Sequence, residues 1–313
     1  MVGGAAHGPI LVTGASGQMG EALVRTLRPL GEVVAPGRAE LELTNGDSIR
    51  RAIRETQPRW VVNAAAFTAV DKAESEPELA FAINATALEI VAEEAKVIGA
   101  AVVHYSTDYV FDGEKQTPYL ETDAMGSLNV YGQSKLKGEQ ALGESGVAHL
   151  IFRTSWVYGA TGKNFVRSIL RMAREREQLR IVADQYGAPT WSEELARLTA
   201  HAMERVEGKA AESKKGLHEA MLLVGGIYHA TGAGETTWHG FAAAAIEELR
   251  RLQPNAKLAT VEAITTAEYP TPAKRPMSSR LDCAKLERVF GWKMPEWRES
   301  LKRVVAELAQ NGA

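Results

Sequence analysis

The 313-residue chain contains one cysteine, Cys283. A lone thiol excludes an intramolecular disulfide framework and fits a reducing compartment. No uninterrupted apolar run approaches the roughly 20 residues that a membrane-spanning helix requires. Positive charge is not in excess: 36 Lys and Arg stand against 39 Asp and Glu, for a net charge of −3. With no long basic run either, a nucleic-acid partner is not indicated. The opening residues, Met1 to Pro9, carry no Lys or Arg and no long apolar core. They read as a flexible overhang before the first strand, not as a secretion signal. These absences make a cytoplasmic enzyme the expectation. The rest is 45% hydrophobic and 24% charged, the composition of a globular protein. The length suffices for one large core or two modest domains.

What is present begins with a glycine pattern. The apolar run Ile10-Leu11-Val12-Thr13 leads into Gly14-Ala15-Ser16-Gly17-Gln18-Met19-Gly20, and Met19, Leu23, Val24 and Leu27 follow at helical spacing. Glycines between a strand and a helix are the context of a dinucleotide cradle. Gly14 permits the tight turn, Gly17 lets backbone approach a pyrophosphate, and Gly20 lets the helix close on the strand. The helix N-terminus then favours the anion. A second strand, Glu32 to Ala35, precedes Arg38, whose guanidinium suits a ribose 2′-phosphate. Glu40 and Glu42 lie close enough to suit a 2′-hydroxyl instead. NADPH is therefore expected, with NADH tolerated.

The second pattern lies between Tyr105 and Lys135. Thr107 follows the apolar strand Ala101–Tyr105, and Tyr131 and Lys135 stand at i and i+4 near the start of a predicted helix. That spacing puts phenol and ammonium on one helical face. A phenol titrates near pH ~10 and is a poor acid at neutrality. A cation beside it is expected to lower that value and make it useful in proton transfer. A Tyr-x-x-x-Lys pair alone is a weak signal. The glycine turn gives it weight.

Strand and helix signals alternate through the first half, which predicts an α/β fold: a Rossmann-type, doubly wound parallel sheet. The strands are Ile10–Thr13, Glu32–Ala35, Trp60–Val62, Ala101–Tyr105 and His149–Arg153. Helices are expected near Asp47–Glu55, as one long run from Pro77 to Val97, and from Tyr131. The small residues Ala64, Ala65 and Ala66 sit at a strand's carboxyl end, where a flat ring can approach the backbone. The second half is less regular. Helices are expected over Asn164–Arg176, from Ser192 as N-cap to Val206, over Thr236–Leu252 and from Glu296; strands are expected at Leu179–Val182 and Ile227–Ala230. Glu207 to Glu219 reads as an exposed, mobile excursion, and Tyr269 to Pro276 as a Pro-rich loop lying over another element. The expected division is a cofactor domain over residues 9–160, with returning segments near 190–235. A smaller, discontinuous substrate lobe takes 161–190 and 236–313.

Taken together, the motifs resemble the extended short-chain dehydrogenase/reductases. Thr13-Gly14-Ala15-x-Gly17-Gln18-x-Gly20, Asn63-Ala64-Ala65-Ala66-x-Thr68, Ser106-Thr107-Asp108-Tyr109-Val110-Phe111-Asp112-Gly113 and Asn129-Val130-Tyr131-Gly132-x-Ser134-Lys135 carry the resemblance. Arg153-Thr154-Ser155-Trp156-Val157-Tyr158, Asp184-Gln185-Tyr186-Gly187-Ala188-Pro189-Thr190 and Arg275-Pro276-x-Ser278-x-Arg280-Leu281 narrow it to members acting on a dTDP-linked 4-keto-6-deoxy sugar. The resemblance implies NADPH-dependent reduction of the 4-keto group of dTDP-4-dehydro-L-rhamnose. It implies Tyr131 as proton donor, Lys135 as holder of the nicotinamide ribose, and Thr107 as the hydroxyl polarising the ketone. It further implies Gly17, Gln18, Met19, Ala66, Phe67, Thr68 and Tyr105 as cofactor-lining positions, with Gly14, Gly20 and Ala65 beside them. Asp108 and Trp156 match sugar contacts, an indole being able to lie against a hexose face.

Arg275 and Arg280 are candidates for the nucleotide diphosphate, because arginine forks suit phosphate oxygens. Arg280 serves equally as a structural ion pair. Asn84 either bonds a catalytic water or caps a helix irregularity. Phe67 departs from relatives, which often carry a polar residue or His there. Some relatives hold Mg²⁺ at a subunit contact, but no carboxylate or His cluster with ligand spacing supports a metal here. A homodimer is the family-level expectation. Two other readings remain. One is a non-catalytic NADP-binding subunit similar to the regulatory subunit of methionine adenosyltransferase. The other is a nucleotide-sugar epimerase or dehydratase on the same scaffold, which returns the hydride to its substrate.

Overall fold

Continuous apolar runs give the central strands two buried faces. In a computed structural model of the chain, which describes residues 8–213 and 216–310, six parallel strands form one sheet. They are β1 (Ile10–Thr13), β2 (Val33–Val34), β3 (Trp60–Asn63), β4 (Ala101–Thr107), β5 (His149–Thr154) and a late strand, Gly226–His229. Their order is Gly226–His229, β5, β4, β3, β1, β2. The registers pair Thr13 with Asn63, Asn63 with His104, and Thr107 with Thr154, so these carboxyl ends stand side by side. The opening stretch Met1 to Ala6 and His7 of the expected overhang lies outside the described residues.

One face of the sheet presents Ile10, Val12, Trp60, Val62, Val103, Leu150 and Phe152; the other presents Leu11, Val61, Val102 and Ile151. Period-two alternation places them so. Helices α1 (Gln18–Leu27), α2 (Gly46–Thr56), α3 (Val70–Ser75), α4 (Pro77–Phe81), α5 (Ala87–Ile98) and α6 (Val130–Ser145) come from the first half. From the second come α7 (Phe165–Glu175), α8 (Ser192–Ser213), α9 (Leu217–Val224), α10 (Trp238–Leu252), α11 (Ala284–Phe290) and α12 (Trp297–Gln310). Residues of α1, α8, α9 and α11 cover the first face; those of α2, α5 and α6 cover the second. A separate apolar cluster joins α7, α10 and α12 beside a two-stranded parallel pair, Gln178–Val182 with Thr260–Ile264.

Two expectations require correction. The run from Pro77 to Val97 is not one regular helix: between α4 and α5 the backbone widens into a π-turn over Ala82–Thr86. That turn carries Asn84, and such turns recur at functional sites. The expected excursion at 207–219 is mostly helical, being the end of α8 and the start of α9; 214 and 215 lie outside the described residues. Ala, Glu and Lys are strong helix formers. Glu207 also accepts from Arg59 Nε at 2.9 Å and Trp60 Nε1 at 2.8 Å, which anchors the segment to the sheet. Sequence periodicity also missed α3, α11 and the Thr260–Ile264 strand, all short.

Candidate active site

The chain order of the strands turns around at β1, with β2 on one side and β3 on the other. Open parallel sheets place a ligand crevice outside the carboxyl ends at such a point. A cleft of about 750 Å³ lies there. The glycine turn forms one end. Gly14 has φ +69°, and a Cβ on it would sit 2.8 Å from the Ala65 backbone. A Cβ on Gly20 would meet the Gly14 carbonyl oxygen at 2.0 Å. Gly17 begins α1 with no side-chain cap, so first-turn N–H groups remain available to an anion. Ser106 Oγ, Asp108 Oδ2 and Thr154 Oγ1 are buried without a hydrogen-bond partner, and all three residues line the cleft. Buried polar atoms are ordinarily satisfied. A glycine cradle with unsatisfied groups beside it fits a dinucleotide and a polar substrate.

Of the cofactor candidates, Gly14, Gly17, Gln18, Met19, Ala65, Ala66, Thr68, Tyr105, Tyr131 and Lys135 line the cleft. Gly20 and Phe67 do not. The Phe67 backbone is instead held by Asn84, whose Oδ1 accepts from Phe67 N at 2.8 Å while Nδ2 donates to Phe67 O at 3.1 Å. Nδ2 also donates to Ser134 Oγ at 2.9 Å. The Asn84 amide is thus spent on positioning the Ala66–Thr68 turn against α6. The Tyr105 phenol points away to Thr199 of α8, at 2.6 Å, and leaves its ring toward the cleft. Arg38 stands outside the cleft, with its side chain 81% exposed and its Nε on Glu42 Oε2 at 3.0 Å. It lies just past β2, on the same edge of the sheet as the glycine turn.

Thr107 ends β4 and caps the short 3₁₀ turn Asp108–Val110. Its Oγ1 accepts from Tyr109 N at 3.2 Å and donates to Asp108 Oδ1 at 3.0 Å. Tyr131 stands in the first turn of α6. Asn129 caps that helix, accepting from Gly132 N at 2.9 Å and donating to the Lys274 carbonyl at 2.8 Å. The Pro-rich loop therefore lies over the start of α6. Gly132 has no room for a side chain, since a Cβ would sit 2.2 Å from Tyr109 O. Capping and close approach together bring Tyr131 to Thr107. Burial pushes the Tyr131 phenol up to about 12; the Thr107 hydroxyl pulls it back through a hydrogen bond, and the Asp108 charge adds to the rise.

This corrects the expectation that Lys135 lowers the phenol. Lys135 is 2% exposed, and its Nζ donates to the Tyr105 carbonyl at 2.6 Å and lies 3.0 Å from His104 Nε2. Among the described residues no hydrogen bond joins it to Tyr131. With α6 seated on β4, the ammonium meets acceptors of that strand before it meets the phenol. Burial drives the Lys135 ammonium down to about 8, with Glu139 opposing.

Asp108 is 3% exposed, and burial raises its carboxyl to about 6 against hydrogen bonds from Ser279 and Thr107. Trp156 lines the cleft at φ +48°, an uncommon backbone conformation for a bulky residue. Its indole is stacked on Trp238 at 3.7 Å and 12°. Trp238 therefore covers one face of the indole, and Trp156 still lines the cleft. A Cβ on Gly187 would lie 2.6 Å from the Trp156 ring, so only glycine fits there. Arg275 and Arg280 do not line the cleft. Arg275 Nη2 donates to Asp71 Oδ2 at 2.8 Å, and its Nη1 is buried without a partner. Arg280 donates to Glu235 at 3.2 Å, to Gln116 O at 2.7 Å and to Ser278 Oγ at 3.1 Å. Sequence reading missed Ser106, Lys163 and Trp238 as cleft residues. Ser106 had a signal, being next to Thr107; Lys163 and Trp238 arrive only by folding.

A parallel dinucleotide-type sheet, with a hydroxyl, a phenol and a buried lysine at its carboxyl edge, defines a nicotinamide-dependent oxidoreductase of the short-chain dehydrogenase/reductase kind. The RmlD substrate binding domain family matches residues 8–310, and the chain belongs to that family. The dTDP-4-dehydrorhamnose reductase of Shigella flexneri is 46% identical over 303 residues, 96% of this chain and 97% of that protein. The reductase of the same name from Burkholderia thailandensis is 46% identical over 301 residues, with 96% and 98% covered. Among solved structures, a dTDP-4-dehydrorhamnose reductase of Clostridium acetobutylicum superposes with TM-score 0.83 at 36% identity, covering 96% of this chain and 99% of that one. The Bacillus anthracis reductase in complex with NADP gives TM-score 0.83 at 33% identity, with the same coverage.

Proposed function

We propose that this chain reduces the 4-keto group of dTDP-4-dehydro-L-rhamnose to give dTDP-L-rhamnose, with NADPH as reductant. The observation that carries the reading is the meeting of Thr107 and Tyr131 at the carboxyl edge of a sheet whose glycine turn opens into the same cleft. The full-length likeness to reductases of that name supports the substrate. The nicotinamide, when bound, supplies the hydride. Thr107 polarises the ketone oxygen, and the Tyr131 phenol gives its proton to that oxygen as negative charge develops. A developing alkoxide is a stronger base than a phenolate, so the Tyr131 phenol can protonate it even though burial weakens the phenol as an acid. Lys135 holds the nicotinamide ribose, and Arg38 the 2′-phosphate; NADH is tolerated at lower affinity. Asp108 and the Trp156 edge contact the sugar.

Arg275 and Arg280 serve the diphosphate only if substrate draws them from Asp71 and Glu235, so we assign them first to the loop they anchor. The second-half cluster of α7, α10 and α12 forms the substrate lobe beside the cofactor domain of residues 9–160. The lone cysteine fits a reducing compartment, and the cytoplasm is our proposal on that ground; the homodimer rests on the resemblance alone, and a monomeric mass by light scattering would remove it. No helix of the described residues is long and apolar enough to cross a membrane. Among the described residues no group of three or more His, Cys, Asp or Glu is placed to hold a metal ion.

The test follows NADPH absorbance with enzymatically made dTDP-4-dehydro-L-rhamnose. Substrate-dependent oxidation, one NADPH per sugar, is expected. Tight NADPH binding without turnover would favour the regulatory subunit, and sugar conversion without net oxidation the epimerase.

A further inference from the structure

Behind Lys135 lies a buried polar chain that the proposed reaction does not use. Thr13 Oγ1 stands 2.5 Å from the Asn63 amide, and that amide stands 3.1 Å from His104 Nδ1. His104 Nε2 stands 3.0 Å from Lys135 Nζ. His104 is 1% exposed, Asn63 4% and Thr13 2%. The ring links Asn63 of β3 to the helix that carries Tyr131. An apolar side chain would be the ordinary occupant of a central parallel strand buried on both faces.

We propose that His104 is a positioning residue for Lys135: its neutral ring and the Tyr105 carbonyl fix two of the three ammonium N–H groups and aim the third into the cofactor cleft. An ammonium has three donors and no acceptor. One is taken at 2.6 Å by Tyr105 O and one by the ring, and Lys135 lines the cleft with what remains. The ring can serve in this way because it does not charge. Burial, and then the Lys135 charge, hold its pKa well below the ordinary histidine value, with His149 adding to the effect. For Nε2 to accept from the ammonium, Nδ1 carries the single ring proton and donates it to the Asn63 amide oxygen; the amide is then turned so that its nitrogen, not its oxygen, faces Thr13 Oγ1. The other titratable groups around the pair are Glu139, which supports the ammonium, Arg153, which is bonded to Glu139 at 2.6 Å, and the protonated phenols of Tyr105 and Tyr131. Asp108 lies beyond Tyr131. The inference rests on Lys135 being the cofactor-holding lysine, as proposed above.

The test needs no keto-sugar. NADPH affinity is measured by fluorescence titration from pH 6 to 10 for the wild type, His104→Leu and His104→Gln. Leu leaves a buried N–H of a charged group without an acceptor. His104→Leu should therefore bind NADPH at least about tenfold more weakly at pH 8, and its alkaline loss of affinity should begin at lower pH. His104→Gln, whose amide oxygen can accept, should recover most of both. Equal weakening by Leu and Gln with an unmoved pH profile would overturn the proposal and leave His104 as packing. No NADPH binding by the wild type would instead defeat the cofactor reading. Should the variants not fold, nitrogen NMR of the unliganded wild type decides, with the ring assigned through its neighbours Asn63 and Lys135. His104 should stay neutral throughout, with Nε2 accepting from the ammonium at pH 7 and its signal moving as Lys135 deprotonates near pH 8. A ring insensitive to that step would overturn the inference.

Discussion

The Tyr131 phenol and the Lys135 ammonium share a face of α6 but share no hydrogen bond: Tyr131 lines the cleft with Thr107, and the ammonium is bonded to Tyr105 O at 2.6 Å. The two groups therefore divide their tasks. One is held protonated near the substrate end, and the other is braced against β4 near the cofactor end.

Tyr131→Phe removes the donated proton and little else. NADPH affinity should stay within about twofold, while kcat should fall about 10²- to 10⁴-fold, the usual range for a general acid. Stopped-flow turnover beside a binding titration checks it. Full activity in the variant would place the acid elsewhere.

Arg38→Ala tests the 2′-phosphate assignment. The side chain is 81% exposed and, among the described residues, partnered by Glu42, so folding should be indifferent to its loss. KM for NADPH should rise about tenfold, the loss of one charge-assisted contact, and KM for NADH should barely move. Parallel losses for both cofactors would refute the assignment.

Asp108→Asn gives a pH signature. The carboxyl titrates near 6 folded against 3.8 in an open chain. Its folded pKa is raised, so its stabilising share is present below about pH 3.8 and lost as pH rises to 6. At pH 7.5 the wild type carries a buried carboxylate that the amide spares. The variant should be more stable than wild type at pH 7.5, by at most about 3 kcal/mol, with the gain shrinking toward pH 4, while KM for the sugar rises. A gain constant across pH would mean that Asp108 does not titrate as described.

Gly20→Ala should be poorly tolerated. Its Cβ would sit 2.0 Å from the Gly14 carbonyl oxygen and 2.6 Å from Ala15 Cα, both backbone atoms that cannot swing away. We expect about 2 kcal/mol or more of lost stability, in the range for an overpacked core, together with weakened NADPH binding. Thermal melts and cofactor titration read both effects.

The sequence by itself determined the sheet and the identity of its functional edge. Apolar runs of four to seven residues, glycines at fixed offsets and a Tyr–Lys pair one helical turn apart are local signals, and local signals survive without knowledge of the fold. β1, β3, β4, β5 and α6 are found within two residues of where those signals put them. The π-turn at Ala82–Thr86 was not legible, because it accompanies bonds from Asn84 to Phe67, 17 residues away, and to Ser134, 50 away. Nor was the helical order of 207–213, which Arg59 and Trp60 anchor from across the sheet. Only the tertiary structure decided which acceptor Lys135 meets, which face of Trp156 is free, and that Arg275 and Arg280 are held by Asp71 and Glu235. A long polar side chain bonds whatever the fold brings within about 3 Å, and that neighbour is usually far away in sequence.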